Sequence, residues 1–296
     1  MSADASFVSI ASETLVARIN PHGAELWSLT DADGREYMTD ADPAFWTGHA
    51  PPLFPIVGAL NEGRYRLGAV AHELPRHGFA RNSTFDVVEA GPDAALFRLS
   101  DSAETHGRYP FAFVLDMAFR LEGATLRMQA TVGNRGDEAM PFSFGFHPAF
   151  AWPLPGGAPK EAHRMTFAEV EPRPVRRIDP ATGLVLPEAQ PTPVEGRTLA
   201  PAPALFEPDA LIWDELDSRA LRFGAPGGAS LDIAFPDMAM LGIWQKPGAN
   251  YLCIEPWQGI ADPQGYGGDF RNKPGVVTLP PGASRSFRME VTVRAG

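Results

Sequence analysis

Between Phe111 and Val132 the chain reads FAFVLDMAFRLEGATLRMQATV, and the alternation within it decides the fold class. Two runs rich in strand-forming residues flank Glu122-Gly123, a short turn between apolar alternations, so the segment reads as an antiparallel hairpin. The same punctuation recurs outward from it. Asp33-Gly34 and Asn134-Arg135-Gly136-Asp137 mark further turns. The final run from Ser286 to Val293 alternates Phe287, Met289, Val291 and Val293 against Arg288, Glu290 and Thr292, the pattern of a half-buried strand. Turn chemistry spread along the chain, 29 glycines and 30 prolines, favours many short strands over a few long helices. No sustained helical periodicity, heptad or fixed repeat is present, which takes weight from solenoid, coiled-coil and βαβ architectures. The expectation is an all-β chain of antiparallel sheets.

A length of 296 residues admits one domain or two, because large β-sandwiches form single units of this size. Twelve of the prolines fall from Pro153 to Pro208. Proline cannot donate to a sheet ladder, so this stretch should hold loops and short edge strands. Strand patterns resume at Leu211 to Asp214 and Met240 to Trp244. We read the proline-rich stretch as an excursion within a single domain spanning 1–296.

Composition narrows the partners. A hydrophobic fraction of 44% with 21% charged residues is that of a chain that folds. The single cysteine, Cys253, excludes an internal disulfide framework and fits a reducing compartment; its plainest role is a small buried hydrophobe. No stretch approaches the roughly 18 apolar residues that span a bilayer. The start, Met1-Ser2-Ala3-Asp4-Ala5, lacks the basic and apolar regions of a signal peptide, so a cytoplasmic location is expected. A net charge of −11 without a dense Lys/Arg run argues against nucleic acid and anionic membrane, leaving a small molecule as the easier partner.

Three stretches could carry chemistry. In MPFSFGFHPAF (Met140 to Phe150), a strand places Phe142, Phe144 and Phe146 on one face and Ser143, Gly145 and His147 on the other. Three rings fill a core; the opposite face is cleared of bulk around one imidazole, which serves either structure or a site. In YLCIEPW (Tyr251 to Trp257), Leu252 and Ile254 alternate with Tyr251, Cys253, Glu255 and Trp257. A carboxylate there is paired, or desolvated with its pKa pushed up as suits a general base, or simply at a strand end in water. Trp244 and Trp257 are either sugar-stacking platforms or core. In LPRHGFAR (Leu74 to Arg81), Pro75 and Gly78 bracket His77 in a turn, with Arg76 and Arg81 as nearby charges that either grip a ligand or form surface pairs. His72, Glu73 and His77 do not have the helical spacing of a metal site, and nucleotide, P-loop and serine-elbow signatures are absent, so no metal is expected.

In order along the chain, LFPIVGALNEGRY (Leu53 to Tyr65), LPRHGFARNSTF (Leu74 to Phe85), FSFGFHPAF (Phe142 to Phe150), PDALIWDEL (Pro208 to Leu216) and YLCIEPW resemble the aldose 1-epimerase, or galactose mutarotase-like, superfamily. More narrowly they look like its bacterial H-G-F-A-R branch, related to hexose-6-phosphate 1-epimerases. The resemblance implies a large antiparallel β-sandwich with a sugar in an open cleft, an isomerase that interconverts the α and β anomers of an aldohexose or its phosphate, and no metal or organic cofactor. By motif, His147 matches the family's general acid, Glu255 its general base, His77 the second histidine that holds the sugar, and Asp209 an aspartate that binds sugar hydroxyls. Arg81 would orient the sugar beside His77. The imidazole and carboxylate would act from opposite sides of the ring. One departure is Ala59, where well-studied galactose mutarotases carry a substrate-binding arginine.

Two rival readings remain. A non-catalytic sugar-binding or sensing module would use the same cleft. A glycoside hydrolase needs a second carboxylate roughly 5–9.5 Å from the first, for which Asp262 and Asp269 are the downstream candidates. Arg64, Arg271 and Lys273 read either as a phosphate pocket or as surface charges.

Overall fold

The hairpin forms as its alternation requires. Strands Phe113–Glu122 and Thr125–Asn134 pair antiparallel in unbroken register, Glu122 opposite Thr125, around a two-residue turn in which Gly123 takes a positive φ of 53°. Phe113, Leu115, Met117, Phe119 and Leu121 point inward with Leu126, Met128, Ala130 and Val132. This pair sits inside a nine-stranded antiparallel sheet. Its order is Thr198–Leu199, Arg164–Phe167, Ala220–Gly224, Ser230–Ala234, Ser284–Arg294, Thr125–Asn134, Phe113–Glu122, Ala94–Ser100 and Asp86–Ala90. The structure, a computed structural model, describes residues 7–296; the start inspected for signal features, Met1 to Ala5, lies outside them. Among the described residues there is one α-helix, Ala103–Arg108, opened by a reciprocal Ser102/Thr105 cap, and its six residues are too few to leave a periodic signal.

A second sheet of five strands carries the chemistry-bearing motifs. Its path runs Phe144–Gly145, Tyr251–Gln258, Met240–Trp244, Leu211–Trp213, with Ala149–Ala151 also pairing to Tyr251–Gln258. Its inner face packs on the nine-stranded sheet through one core cluster that draws residues from Ile10 to Val293. Phe144 and Phe287 join the two layers most directly, their rings stacked at 5.5 Å and 12°. The chain is therefore all-β, a large antiparallel sandwich. Among the described residues no helix is long and apolar enough to cross a membrane.

The outer face of the five-stranded sheet is covered as well. Loop residues Leu53, Val57, Ile178, Val185, Ile260 and Ala261 close over Ile212 and Trp257, while Ala249 packs against Tyr251, Cys253 and Ala149. Burial on both faces explains why every residue from Tyr251 to Trp257 is buried although the sequence alternates.

Truncating Phe287 removes the ring that Phe144 stacks on and leaves a cavity between the sheets. Phe287→Ala should cost about 3–5 kcal/mol in urea unfolding; a loss below about 1 kcal/mol would mean that the layers do not depend on this contact.

Candidate active site

His147 and Glu255 are brought together by strand register. Gly145 lies opposite Trp257 and Ala149 opposite Cys253, so the interrupted strand places His147 opposite Glu255. The break is occupied by Pro148, whose carbonyl accepts from Ile254 N–H at 3.2 Å, while Pro256 accepts from Phe146 N–H at 3.1 Å. Two prolines thus sit in the ladder using only their acceptors. His147 Nε2 and Glu255 Oε2 end 3.2 Å apart. The two side chains expected as acid and base are therefore neighbours on one wall, whereas the sequence reading sets them on opposite sides of a ring.

The glycine of FSFGF has a different reason than the clearing read from sequence. A Cβ at Gly145 would come within 2.5 Å of Trp257 Cδ1, and one at Gly242, opposite Glu255, within 2.5 Å of the same indole. The space is filled by Trp257, which lies flat between two glycines of neighbouring strands. Ser143 is likewise closed over, by Gly259.

His77 arrives from the turn Pro75 to Gly78, closed by Gly78 N–H to the Pro75 carbonyl at 2.9 Å. Its own φ is 67°, and Gly78 must be glycine because a Cβ would lie 2.2 Å from the Phe54 carbonyl oxygen. His77 N–H donates to Gly58 C=O at 2.9 Å, and Gly58 N–H donates to His77 Nδ1 at 3.1 Å. A backbone donor on Nδ1 leaves the proton of the neutral ring on Nε2. Arg76 Nε, 3.3 Å from that Nε2, therefore meets a donor and is not held by it.

These residues line one cavity of about 230 Å³, on the scale of seven or eight waters and hence of a single sugar ring. Among its walls are His77, His147, Glu255, Arg81, Asp209, Trp244 and Trp257, the residues expected to act on or hold a sugar. Trp46, Arg76, Ile178 and Gly183 also face it. Trp46 was not legible beforehand, being an aromatic in a Pro/Gly loop with no pattern around it; its ring lies 5.0 Å from His147 and 5.9 Å from Trp244. Ile178 and Gly183 come from the proline-rich excursion. Ala59 and the Arg76 guanidinium both border Gly183, where a Cβ would lie 3.2 Å from one and 3.5 Å from the other. The space beside Ala59 is thus bordered by an arginine from another segment.

Burial sets the protonation. His147 is 7% exposed and its pKa is pushed well down, by burial first and then by Arg81 and Arg76. Glu255, 2% exposed, is pushed well up by burial, with Arg76 and Arg81 opposing and Asp209 adding to the rise. His77 is lowered by burial, His147 and the two arginines. Both shifts in the central pair favour the uncharged forms, a protonated Glu255 beside a neutral His147. His147, Cys253 and Glu255 also offer ligand atoms all within 4.8 Å of one another, a set able to hold a metal ion, although Cys253 lies behind the cavity wall.

The other candidates lie elsewhere. Arg64 pairs with Glu73 at 2.9 Å and Arg271 with Asp269 at 3.2 Å. Lys273 is not a surface charge but fully buried, 2.8 Å from Asp262. They do not converge on a phosphate pocket. Asp262 is spent on Lys273 and on Asn61 N–H at 2.9 Å, and neither it nor Asp269 lines the cavity, so no second carboxylate for glycoside hydrolysis comes from them. His72, far from a metal geometry, stacks on Tyr65 at 5.2 Å.

The chain belongs to the aldose 1-epimerase family, whose model matches residues 6–292. It is 30% identical to the plasmid protein LacX of Lactococcus lactis subsp. lactis, over 97% of this chain and 99% of that one. A galactose mutarotase related enzyme from Lactobacillus acidophilus superposes with a TM-score of 0.90 at 32% identity, covering 98% of each chain. A galactose mutarotase-like protein from Lactobacillus casei ATCC 334 does so with 0.90 at 30% identity, covering 98% of this chain and 100% of its own.

If burial holds the pair as described, the His147 imidazole stays neutral well below the ordinary histidine range. Its ring nitrogens, followed by NMR, should show no titration between pH 5 and 8; an inflection near the unperturbed value of about 6.5 would contradict the desolvated pair.

Proposed function

We propose that the chain, acting as one unit over 1–296, is an aldose 1-epimerase in activity. The observation that carries this reading is the 3.2 Å contact between His147 Nε2 and Glu255 Oε2, both desolvated at the wall of a cavity the size of one sugar ring. Anomer exchange moves a proton off the O1 hydroxyl and a proton onto the ring oxygen, and both oxygens are bonded to the anomeric carbon. Acid and base must therefore converge on one carbon, which an adjacent pair does. The proton resting on Glu255 crosses to His147; Glu255 then takes the O1 proton while His147 donates to the ring oxygen. The C1–O5 bond breaks, the C1–C2 bond rotates, and closure reverses both transfers. The Nε2–H of His77 and the Asp209 carboxylate hold hydroxyls, Arg81 orients the sugar, and Trp244, Trp257 and Trp46 supply apolar faces for the C–H side of the ring.

Wild-type protein should speed the approach of pure α-glucose or α-galactose, or a 6-phosphate, to anomeric equilibrium in polarimetry or NMR. Glu255→Gln should lower kcat by about 10²–10⁴-fold. A sugar-binding module would instead bind saturably with no acceleration. No acceleration of any common aldose or its 6-phosphate would end the enzyme reading.

The charges around the cavity favour an anionic aldose. Among the described residues neither Arg76 nor Arg81 has a carboxylate within ion-pair distance, in a chain where most arginines do. Besides Glu255, Asp209 is the one carboxylate lining the cavity with the two guanidinium groups, while Glu25 acts on Arg81 from behind the wall. A charge-assisted bond is worth about tenfold or more in affinity, so kcat/KM should be about tenfold higher for a hexose 6-phosphate than for the free hexose. The reverse preference would refute this assignment.

A further inference from the structure

We infer that Arg177 is a positioning residue, fixing the Asp209 carboxylate at the cavity wall by clamping the turn on which Asp209 sits. The inference rests on Asp209 being a sugar contact, as proposed above. Arg177 is 6% exposed and does not line the cavity. Its Nη1 donates to the carbonyls of Leu205 at 2.8 Å and Asp209 at 2.9 Å, with Ala210 O at 3.3 Å sharing the same two protons. Its Nε reaches Gln190 Oε1 only at 3.4 Å, and among the described residues no carboxylate comes within ion-pair distance, although the Asp209 carboxylate acts on it through space. A buried guanidinium without an anion in contact is costly, and a core built only for stability would replace it with an apolar chain. Here its hydrogen bonds converge on the carbonyls of a single turn.

That turn needs a clamp. Asp209 has a φ of 72°, a conformation that aspartate tolerates but does not prefer. Locally it is held by Asp209 N–H to Phe206 O at 3.0 Å and by its own Oδ1 accepting from Ala210 N–H at 2.7 Å. Without Arg177 the carbonyls of Leu205, Asp209 and Ala210 would lose the donor they share, so this half-buried turn would rearrange and take the carboxylate with it. The clamp is anchored in turn. Arg176 and Ile212 exchange backbone hydrogen bonds of 2.7 and 3.1 Å, and Leu186 N–H donates to Arg177 O at 2.9 Å. The proline-rich excursion thus docks on the edge strand Leu211–Trp213 of the five-stranded sheet, lines the cavity with Ile178 and Gly183, and is tied to the Asp209 turn through Arg177.

The test is a double-mutant cycle on the full-length protein with the aldose or aldose phosphate that gives the highest rate. Arg177→Met and Asp209→Asn should each raise KM about tenfold while kcat changes little, because a hydroxyl contact made equally in ground and transition states is lost. The combined variant should be no worse than Asp209→Asn alone, and Arg177→Lys, which keeps a donor, should recover part of the loss. A wild-type KM in Arg177→Met, or losses that multiply in the combined variant, would overturn the inference. Should Arg177→Met not fold, Arg177→Lys carries the same cycle. Should no aldose turn over with wild type, the proposed function fails, and amide exchange then decides on Arg177 alone. Faster exchange confined to residues 205–211 in Arg177→Met supports the clamp; unchanged exchange overturns it.

Discussion

The pairing of the stretch from Phe144 to Ala151 with strand Tyr251–Gln258 is the constraint on which the rest of this protein depends. About a hundred residues separate the two in sequence, and a shift of one residue would turn every side chain to the other face. The register is held from both sides by unlike means. On the inner face Phe144 interlocks with Phe146 and Phe287. On the outer face Trp257 fits only where Gly145 and Gly242 leave room for it. Inner rings and outer glycines are satisfied by one register only, and in that register His147 faces Glu255.

A sheet covered on both faces is what gives that pair its chemistry. Water-exposed, a glutamate and a histidine 3.2 Å apart would form an ordinary surface ion pair with little energetic consequence. Closed under Trp46, Trp257 and the loops around Gly58 and Ala261, the charged forms of both lose solvation, and the neutral, singly protonated pair is favoured. The loops that do the covering are held by polar bonds of their own. Asp262 binds Lys273 and Asn61 N–H while its N–H donates to the Ala59 carbonyl, which fastens one wall to another next to Gly58. Buried pairs of this kind contribute little net stability but fix geometry strongly, because breaking one leaves a charge stranded.

The stretch from Pro153 to Pro208 shows how turn-rich sequence serves a site. Its prolines keep it from adding long strands, yet Arg176 pairs with Ile212 at the edge of the five-stranded sheet and Val175 with Gln190 across the excursion itself. Ile178 and Gly183 reach the cavity from it, and Arg177 ties it to the turn carrying Asp209. Glu255 stands on a strand and His147 in the short break between two segments paired to it, where register holds both, and much of the remaining cavity wall is drawn from loops, where side-chain identity is free to vary.

What the sequence alone determined is whatever depends on neighbours a few residues away. The hairpin at Glu122-Gly123, the inward set of the final strand and the two faces of FSFGFHPAF and YLCIEPW follow from period-two alternation and turn residues, and the structure keeps them. The ordered motifs also carried the family and with it His77, His147 and Glu255 as candidates. Tertiary structure decided what depends on contact between distant segments. It set the adjacency of His147 and Glu255, the use of Gly145 to seat an indole, the burial of Lys273, the choice of the cavity over a surface pair for Arg76, and the arrival of Trp46 and Arg177 at or behind the cavity. Those features rest on strand register and loop closure, in which each residue's partner lies far along the chain. No local pattern encodes such a partner, and only the packed core selects it.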